Sequence, residues 1–524
     1  VNTMASSKWG VLIVMSAAIF IITIDTTMMN VSISAIVKDL NTTVNGVQGA
    51  ITLYALVMAA FMIPGAKLAD IWGTKKVFFR GLVIYTIGTL MAAFSPTIEI
   101  LVLGWSILEG IGAAMMMPAT VTYVTKAYTG KDRAFAFASW GAVNGAAAAF
   151  GPIIGGFFTT YVTWRLGFFM EAFIAAAIFA YLKILPNYKP EKQIKLDVVG
   201  SVLIGSALFL LTLSVFLINP LGEEPVAALM ILGIALVLLF WKYEQRLRAK
   251  GKDVVFDIDV FKSRTFTVAT MISLFFQMSI AGLLFIIPVF LQAYLGYNAL
   301  RTGFILLPLS VTLFIVSMGG KYFARIMTPK RVLQLGIALS FVGFYLLFRA
   351  FRLDVTGMDL IPGLAFYGMG IGMVISEITN LAMMGAKPEQ QADASGILNT
   401  QRQFGYSLGT ALIGAVLVIG VINSITRQIY ESGIFEGASR AQIRDAVIEW
   451  IIRMEQGDLQ IPPEYHEVVK HMVNTAFIDS MKTAMLFTMF ILLISGLLSF
   501  LLPKGEKIEA SSEPETANEQ ENGE

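Results

Sequence analysis

Hydrophobic residues run through this chain in long blocks, and polar clusters punctuate them. Fourteen blocks hold about 20 or more residues, the length that crosses a bilayer as a helix. They begin near Trp9, Val47, Val77, Ile98, Ala134, Trp164, Val198 and Ala227, then near Phe266, Thr302, Val332, Met358, Phe404 and Met481. Few charges interrupt them, so they predict fourteen membrane-spanning helices, here spans 1 to 14. An even number returns both termini to one side.

Lysine and arginine distribution predicts which side that is. The clusters Lys75, Lys76 and Arg80; Lys131 and Arg133; Lys189, Lys192 and Lys195; Arg246, Arg248, Lys250 and Lys252; and Lys330 and Arg331 all follow even-numbered spans. Short loops after odd-numbered spans are nearly free of them, apart from Lys38, Arg349 and Arg352. Both termini are therefore expected in the cytoplasm of a cell whose plasma membrane the chain spans many times. Residues 1–190 form a first six-helix unit, 191–242 an inserted pair, 243–265 a basic cytoplasmic linker and 266–503 a second unit. Within the second unit, residues 423–480 predict an external helical hairpin. Its first helix opens on Ser439-x-x-Gln442, a capping-box pattern, and ends before Pro462-Pro463. The tail, 504–524, carries seven glutamates and two lysines without an apolar period and reads as disordered.

The two units repeat. Gly65 to Val77 (GAKLADIWGTKKV) is echoed 255 residues later by Gly320 to Val332 (GKYFARIMTPKRV), and Gly110-Ile111-Gly112 by Gly370-Ile371-Gly372. Parallel six-helix halves related by an axis along the membrane normal are one plan of secondary transporters.

Composition narrows the chemistry. Charged residues are only 14% and hydrophobic ones 56% of 524 residues, against roughly a quarter charged in soluble domains. Absence of cysteine excludes disulfides and thiolate metal sites. His466 and His471, five apart in a polar stretch, make a weak metal signal, and no metal or cofactor is expected. No phosphate-binding G-x-x-x-x-G-K-[ST] loop is present, which argues against ATP drive. No nucleophile–base pair suggests an enzyme, and no basic surface suggests nucleic acid.

Three motifs resemble a known family. In span 5, Gly141, Gly145, Ala149, Pro152 and Gly156 recur every three or four residues and leave one helix face almost bare, suited to close helix approach. Pro152 bends that helix. Gly151-Pro152-Ile-Ile-Gly155-Gly156 resembles the Gly-Pro-x-x-Gly-Gly antiporter motif of the major facilitator superfamily. Gly65, Asp70, Gly73, Lys75 and Lys76 match its loop motif after span 2, with Ala66 and Ile71 departing from it. Asp25-Thr26-Thr27-Met28-Met29-Asn30 resembles the span 1 motif of its fourteen-helix drug:proton antiporter branch, and Asn399 to Gly405, including Arg402, resembles that branch at the start of span 13. In span 4, Ser106 and Glu109 stand where that branch carries arginine and glutamine. In span 6, Glu171 and Phe173 replace asparagine and proline.

The resemblance implies an all-helical membrane transporter that exports drug-like compounds in exchange for protons by alternating access, with the glycine and loop motifs gating. The residues add candidates of their own. Asp25, Glu109, Glu171 and Glu377 stand inside spans, at roughly 2.5–3.5 kcal/mol each on insertion scales, and carboxyl groups out of water can exchange protons. Glu377 is favoured for function, because it replaces an apolar type. No lysine or arginine is expected at mid-span, which points to hydrophobic, cationic substrates. Aromatic and methionine residues such as Phe275, Phe276, Met115 and Met116 could line their path. A monomer in contact with membrane lipids is expected. The alternatives are a lipid or lipid-precursor flippase on the same fold and, with less support, a membrane sensor that does not transport.

Overall fold

The computed structural model describes residues 8–128, 130–188, 197–217, 223–319, 323, 326–387, 390–433, 437–455 and 465–503. The predicted residues Lys189, Lys192 and Lys195, the Pro462-Pro463 break and the tail lie outside these, as do the side chains of Asp70, Lys131 and Arg133. Fourteen helices are long and apolar enough to span a membrane: Trp9–Asn30, Val44–Ala69, Thr74–Ala93, Ile98–Ala127, Ser139–Tyr161, Arg165–Ile184, Val198–Phe216, Pro225–Ala249, Arg264–Tyr294, Ala299–Met318, Pro329–Ala350, Gly357–Met384, Asp393–Glu431 and His466–Ser499. They are spans 1 to 14 in order. Among the described residues there is no strand. The face where span 1 begins and span 14 ends is the terminal face; its opposite is the far face.

Each half packs by the same plan. Span 1 lies on span 5, and span 9 on span 13. Spans 2 and 3 flank span 4, as spans 10 and 11 flank span 12. The repeat reaches individual contacts. A Cβ on Gly112 would meet the Gly81 carbonyl and Tyr85; one on Gly370 would meet the Gly336 carbonyl and Ser340. Gly81 and Tyr85 are offset by 255 residues from Gly336 and Ser340, the interval seen in the loop motif. Without side chains there, helix backbones can touch.

Two seams join the halves, span 5 against span 10 and span 2 against span 13. Most seam hydrogen bonds sit in the far half. Gln48 Nε2 donates to the Thr410 carbonyl (2.8 Å) and Ser407 Oγ to the Thr52 carbonyl (2.7 Å). Gln292 Nε2 donates to the Val31 carbonyl (2.7 Å), and Leu300 N to Thr160 Oγ1 (3.0 Å). Span 7 of the inserted pair lies along the second seam, where Leu56, Ala59 and Leu208 pack with Phe404.

On the terminal face the linker is tied down. Arg248 pairs with Asp257 and Asp259, Gln390 Nε2 donates to Asp257 (2.7 Å), and Asp257 N donates to Asp393 (2.9 Å). Asp393 also meets Lys67 of span 2 (3.5 Å), bridging the halves. At the far face, the helix that carries span 13 continues to Glu431 and a second helix, Arg440–Glu455, packs on it through Ile443 and Val447. The Ser439–Gln442 capping box forms at its start. Arg427–Asp479 (2.7 Å) clamps spans 13 and 14.

One expectation needs correction. The hydrophobic count starts span 13 near Phe404, but its helix starts at Gln391. Lys67 meets Asp393 at the terminal face and Gln48 meets Thr410 near the far face. Arg402 falls between those levels, so an arginine does stand at mid-span. Its Nη2 donates to Thr379 Oγ1 of span 12 (2.6 Å).

Candidate functional site: a buried cluster of three acids

Asp25, Glu109 and Glu171 come from spans 1, 4 and 6, and the fold brings them together. One carboxylate oxygen from each lies within 4.8 Å of the other two, and all three residues are fully buried inside the first half. The sequence offered them as separate candidates. Glu171 faces the other two.

Local backbone geometry aims span 4 at this point. Residues Val102–Glu109 form a π-helical stretch, a wider turn that often marks functional positions. It directs Trp105 and Glu109 inward. Gly88 and Gly104 let span 3 approach there: a Cβ on Gly88 would lie 2.5 Å from the Gly104 carbonyl and 2.6 Å from the Glu109 nitrogen. Trp105 Nε1 donates to Asp25 Oδ2 (2.8 Å), and Tyr85 OH donates to Glu171 Oε2 (3.1 Å). Tyr54, 1% exposed, stacks on Trp105. Among the described residues, Asp25 Oδ1, both Glu109 oxygens, Glu171 Oε1 and Tyr54 OH have no hydrogen-bond partner. Two carboxylates are thus held by one oxygen each, leaving the other free.

Charge is the problem this cluster must solve. Two negative charges 4.8 Å apart repel by about 3.5 kcal/mol even at an effective dielectric constant of 20, and there are three such pairs. Arg165, on the same helix as Glu171, is engaged by Asp39 at the far face (2.9 Å) and by the Ala93 carbonyl (3.0 Å). Protons or a cation must supply the balance.

The other candidates lie elsewhere. Glu377 is buried in span 12 of the second half and takes no part in the cluster. Gly145 and Gly156 face span 10, where their Cβ positions would meet Phe314 and the Ala299 carbonyl. Gly151 and Gly155 face span 1, against Thr27 and Met28. The Pro152 carbonyl rests on Gly303 of span 10. Gly65 meets the Ala114 carbonyl of span 4, and Gly73 turns the chain between spans 2 and 3 at φ 91°. Lys75 Nζ donates to the Leu185 carbonyl beyond span 6 (2.6 Å), while Lys76 is exposed.

A model of the Major Facilitator Superfamily matches residues 15–410, about three quarters of the chain. The chain belongs to that superfamily. The superfamily consists of transporters, and the chain is a multi-pass membrane transporter, not an enzyme. It is 26% identical to the Probable actinorhodin transporter of Streptomyces coelicolor, over 83% of this chain and 76% of that protein. It is 29% identical to the Quinolone resistance protein NorB of Staphylococcus aureus, over 74% and 84%. It is 27% identical to the Multidrug resistance protein Stp of Mycobacterium tuberculosis, over 78% and 75%. Among solved structures, it resembles a bacterial homolog of the human lysosomal transporter Spinster in an inward-facing, unoccupied conformation. The TM-score is 0.61 at 15% identity, covering 95% and 98% of the two chains. At that identity the likeness concerns the fold alone.

The tryptophan and two tyrosines around the acids were not foreseen from the sequence. One signal was available. Asp25 lies five residues from the far end of span 1 and Glu171 six from the far end of span 6, so their depths already matched.

Proposed function

We propose that this protein exports lipophilic, cationic compounds across the cytoplasmic membrane in exchange for protons, by alternating access between its two halves. The observation that carries the reading is the Asp25–Glu109–Glu171 cluster, because a buried group of acids with no paired cation among the described residues must gain and lose positive charge to operate. Relatives whose names refer to quinolone, multidrug and actinorhodin handling support drug-like substrates. The lysine and arginine distribution supports cytoplasmic termini, so the far face is external and the closed far-face seam matches an inward-facing state. Glu377, in the other half, is the acid assigned to the substrate's cation. Arg402 beside Thr379 tempers that preference for cations, since one fixed positive charge stands at the same depth.

Each proton moved inward across 100 mV supplies about 2.3 kcal/mol. The test is ethidium transport in proteoliposomes under an imposed pH gradient. Wild-type protein should move ethidium only while the gradient lasts. Glu109→Gln should abolish the gradient's effect, and Glu377→Gln should weaken ethidium binding. Transport that ignores the gradient, or survives in Glu109→Gln, would sink the reading.

A further inference from the structure

The same cluster has the donor set of a metal-ion site. We propose that Asp25, Glu109, Glu171 and Tyr54 bind a dehydrated alkali-metal cation, sodium or potassium, within the first half of the protein. Three oxygens mutually within 4.8 Å all lie within about 2.8 Å of a common centre, since 4.8 Å divided by √3 bounds that radius. That bound takes in the roughly 2.3–2.6 Å of calcium–oxygen contacts, a range shared by sodium, which is similar in size, and leaves room for the larger potassium ion. All the donors are oxygen, which selects hard cations.

The hydrogen bonds decide between charge classes. Trp105 occupies Asp25 Oδ2 and Tyr85 occupies Glu171 Oε2, so each of these acids has one oxygen left to give. Glu109 has two free oxygens and Tyr54 a free hydroxyl. The shell therefore offers at most five protein oxygens. Calcium takes six to eight, and magnesium keeps several waters, which a fully buried site does not readily supply. Sodium is satisfied by fewer oxygens than calcium, and it cancels one of the three charges, with protons on the acids cancelling the others. Trp105 and Tyr85 then act as supports that turn the free oxygens inward, as groups behind metal ligands commonly do. Tyr54 is the independent sign of a ligand: a buried hydroxyl beside three acids, with no hydrogen-bond partner among the described residues.

The proposal rests on this geometry and not on export, so it can fail or hold separately from the transport assay. The experiment is direct binding of radioactive sodium to the purified wild-type protein in detergent, with unlabelled sodium, potassium or choline chloride as competitors at equal ionic strength. Saturable binding displaced by sodium or potassium and not by choline is expected. Which of the two displaces better identifies the preferred ion. Glu109→Gln should lose the binding. Should that variant not fold, Tyr54→Phe removes one oxygen only and should weaken binding up to about tenfold. Absence of saturable binding in the wild type would overturn the proposal, as would binding unchanged in both variants.

Discussion

The seam between spans 5 and 10 gives a direct test of how the halves separate. A methyl group at Gly156 would stand 2.6 Å from the Ala299 carbonyl oxygen and 2.7 Å from Leu300 Cα. Ordinary contact begins near 3.4 Å, so the backbones must part by about 0.8 Å or the side chain must strain. Overpacking of this kind costs about 1–3 kcal/mol, and it is paid only while the far-face seam is closed. Gly156→Ala should therefore shift the population toward the state open at that face by roughly 5- to 150-fold. The chain has no cysteine, so spin labels can be placed without background at Tyr161 and Leu353, both exposed near the far face in opposite halves. Electron–electron distance measurements should show a longer population in Gly156→Ala. Gly141→Ala is the control: it lies on the same small-residue strip, yet its Cβ would meet nothing within 4 Å. Identical distance distributions for wild type and Gly156→Ala, with the protein folded, would refute the reasoning.

Gly73→Ala forces a methyl group onto a residue at φ 91° and should destabilise the protein by about 1–3 kcal/mol, read as a lower Tm in detergent. Arg402→Ala removes a charge-assisted bond to Thr379 and should slow export about tenfold or more, with Arg402→Lys in between, measured in proteoliposomes. Asp393→Ala cuts both the Lys67 bridge and the anchor of Asp257, so trypsin should cleave at Lys250 and Lys252 several times faster, followed on gels.

The membrane layout was legible because a span is written in the mean hydropathy of twenty residues, a local property. The motif glycines were legible for a related reason, since small residues at helical spacing have few other uses. Span 13 was misjudged because the same averaging rejects a stretch such as Asn399 to Gln403, whose polar groups are covered by neighbouring helices rather than by water. Arg402 was misplaced with it. The acid cluster needed information that is not local. Each acid could be found alone, but their meeting depends on three helices packing and on the π-helical stretch at Val102–Glu109, which rotates everything beyond it relative to an ordinary helix. Nothing in Val-Leu-Gly-Trp-Ser-Ile-Leu-Glu announces that turn. Nor does anything in the local sequence mark Trp105 as the donor to Asp25.

The acids lie inside one half, so a change in their charge would reach the seams through the helices that carry them. Span 1 offers the shortest route. Asp25 is two residues from Thr27, and Thr27 and Met28 fill the space opposite Gly151 and Gly155. The other side of that glycine helix, at Pro152 and Gly156, rests on Gly303 and Ala299 of the second half. Asn30, five residues beyond Asp25, donates to Tyr406 across the other seam (3.3 Å). A small rotation of span 1 on a change of charge at Asp25 would thus be felt at both seams at once. Thr27 and Met28 press directly on the bare glycine face, which leaves little free space to absorb such a movement. The Gly-Pro stretch then has two jobs that a single glycine strip could not combine. One face receives span 1 and the other closes against span 10, and Pro152 sits where the two meet.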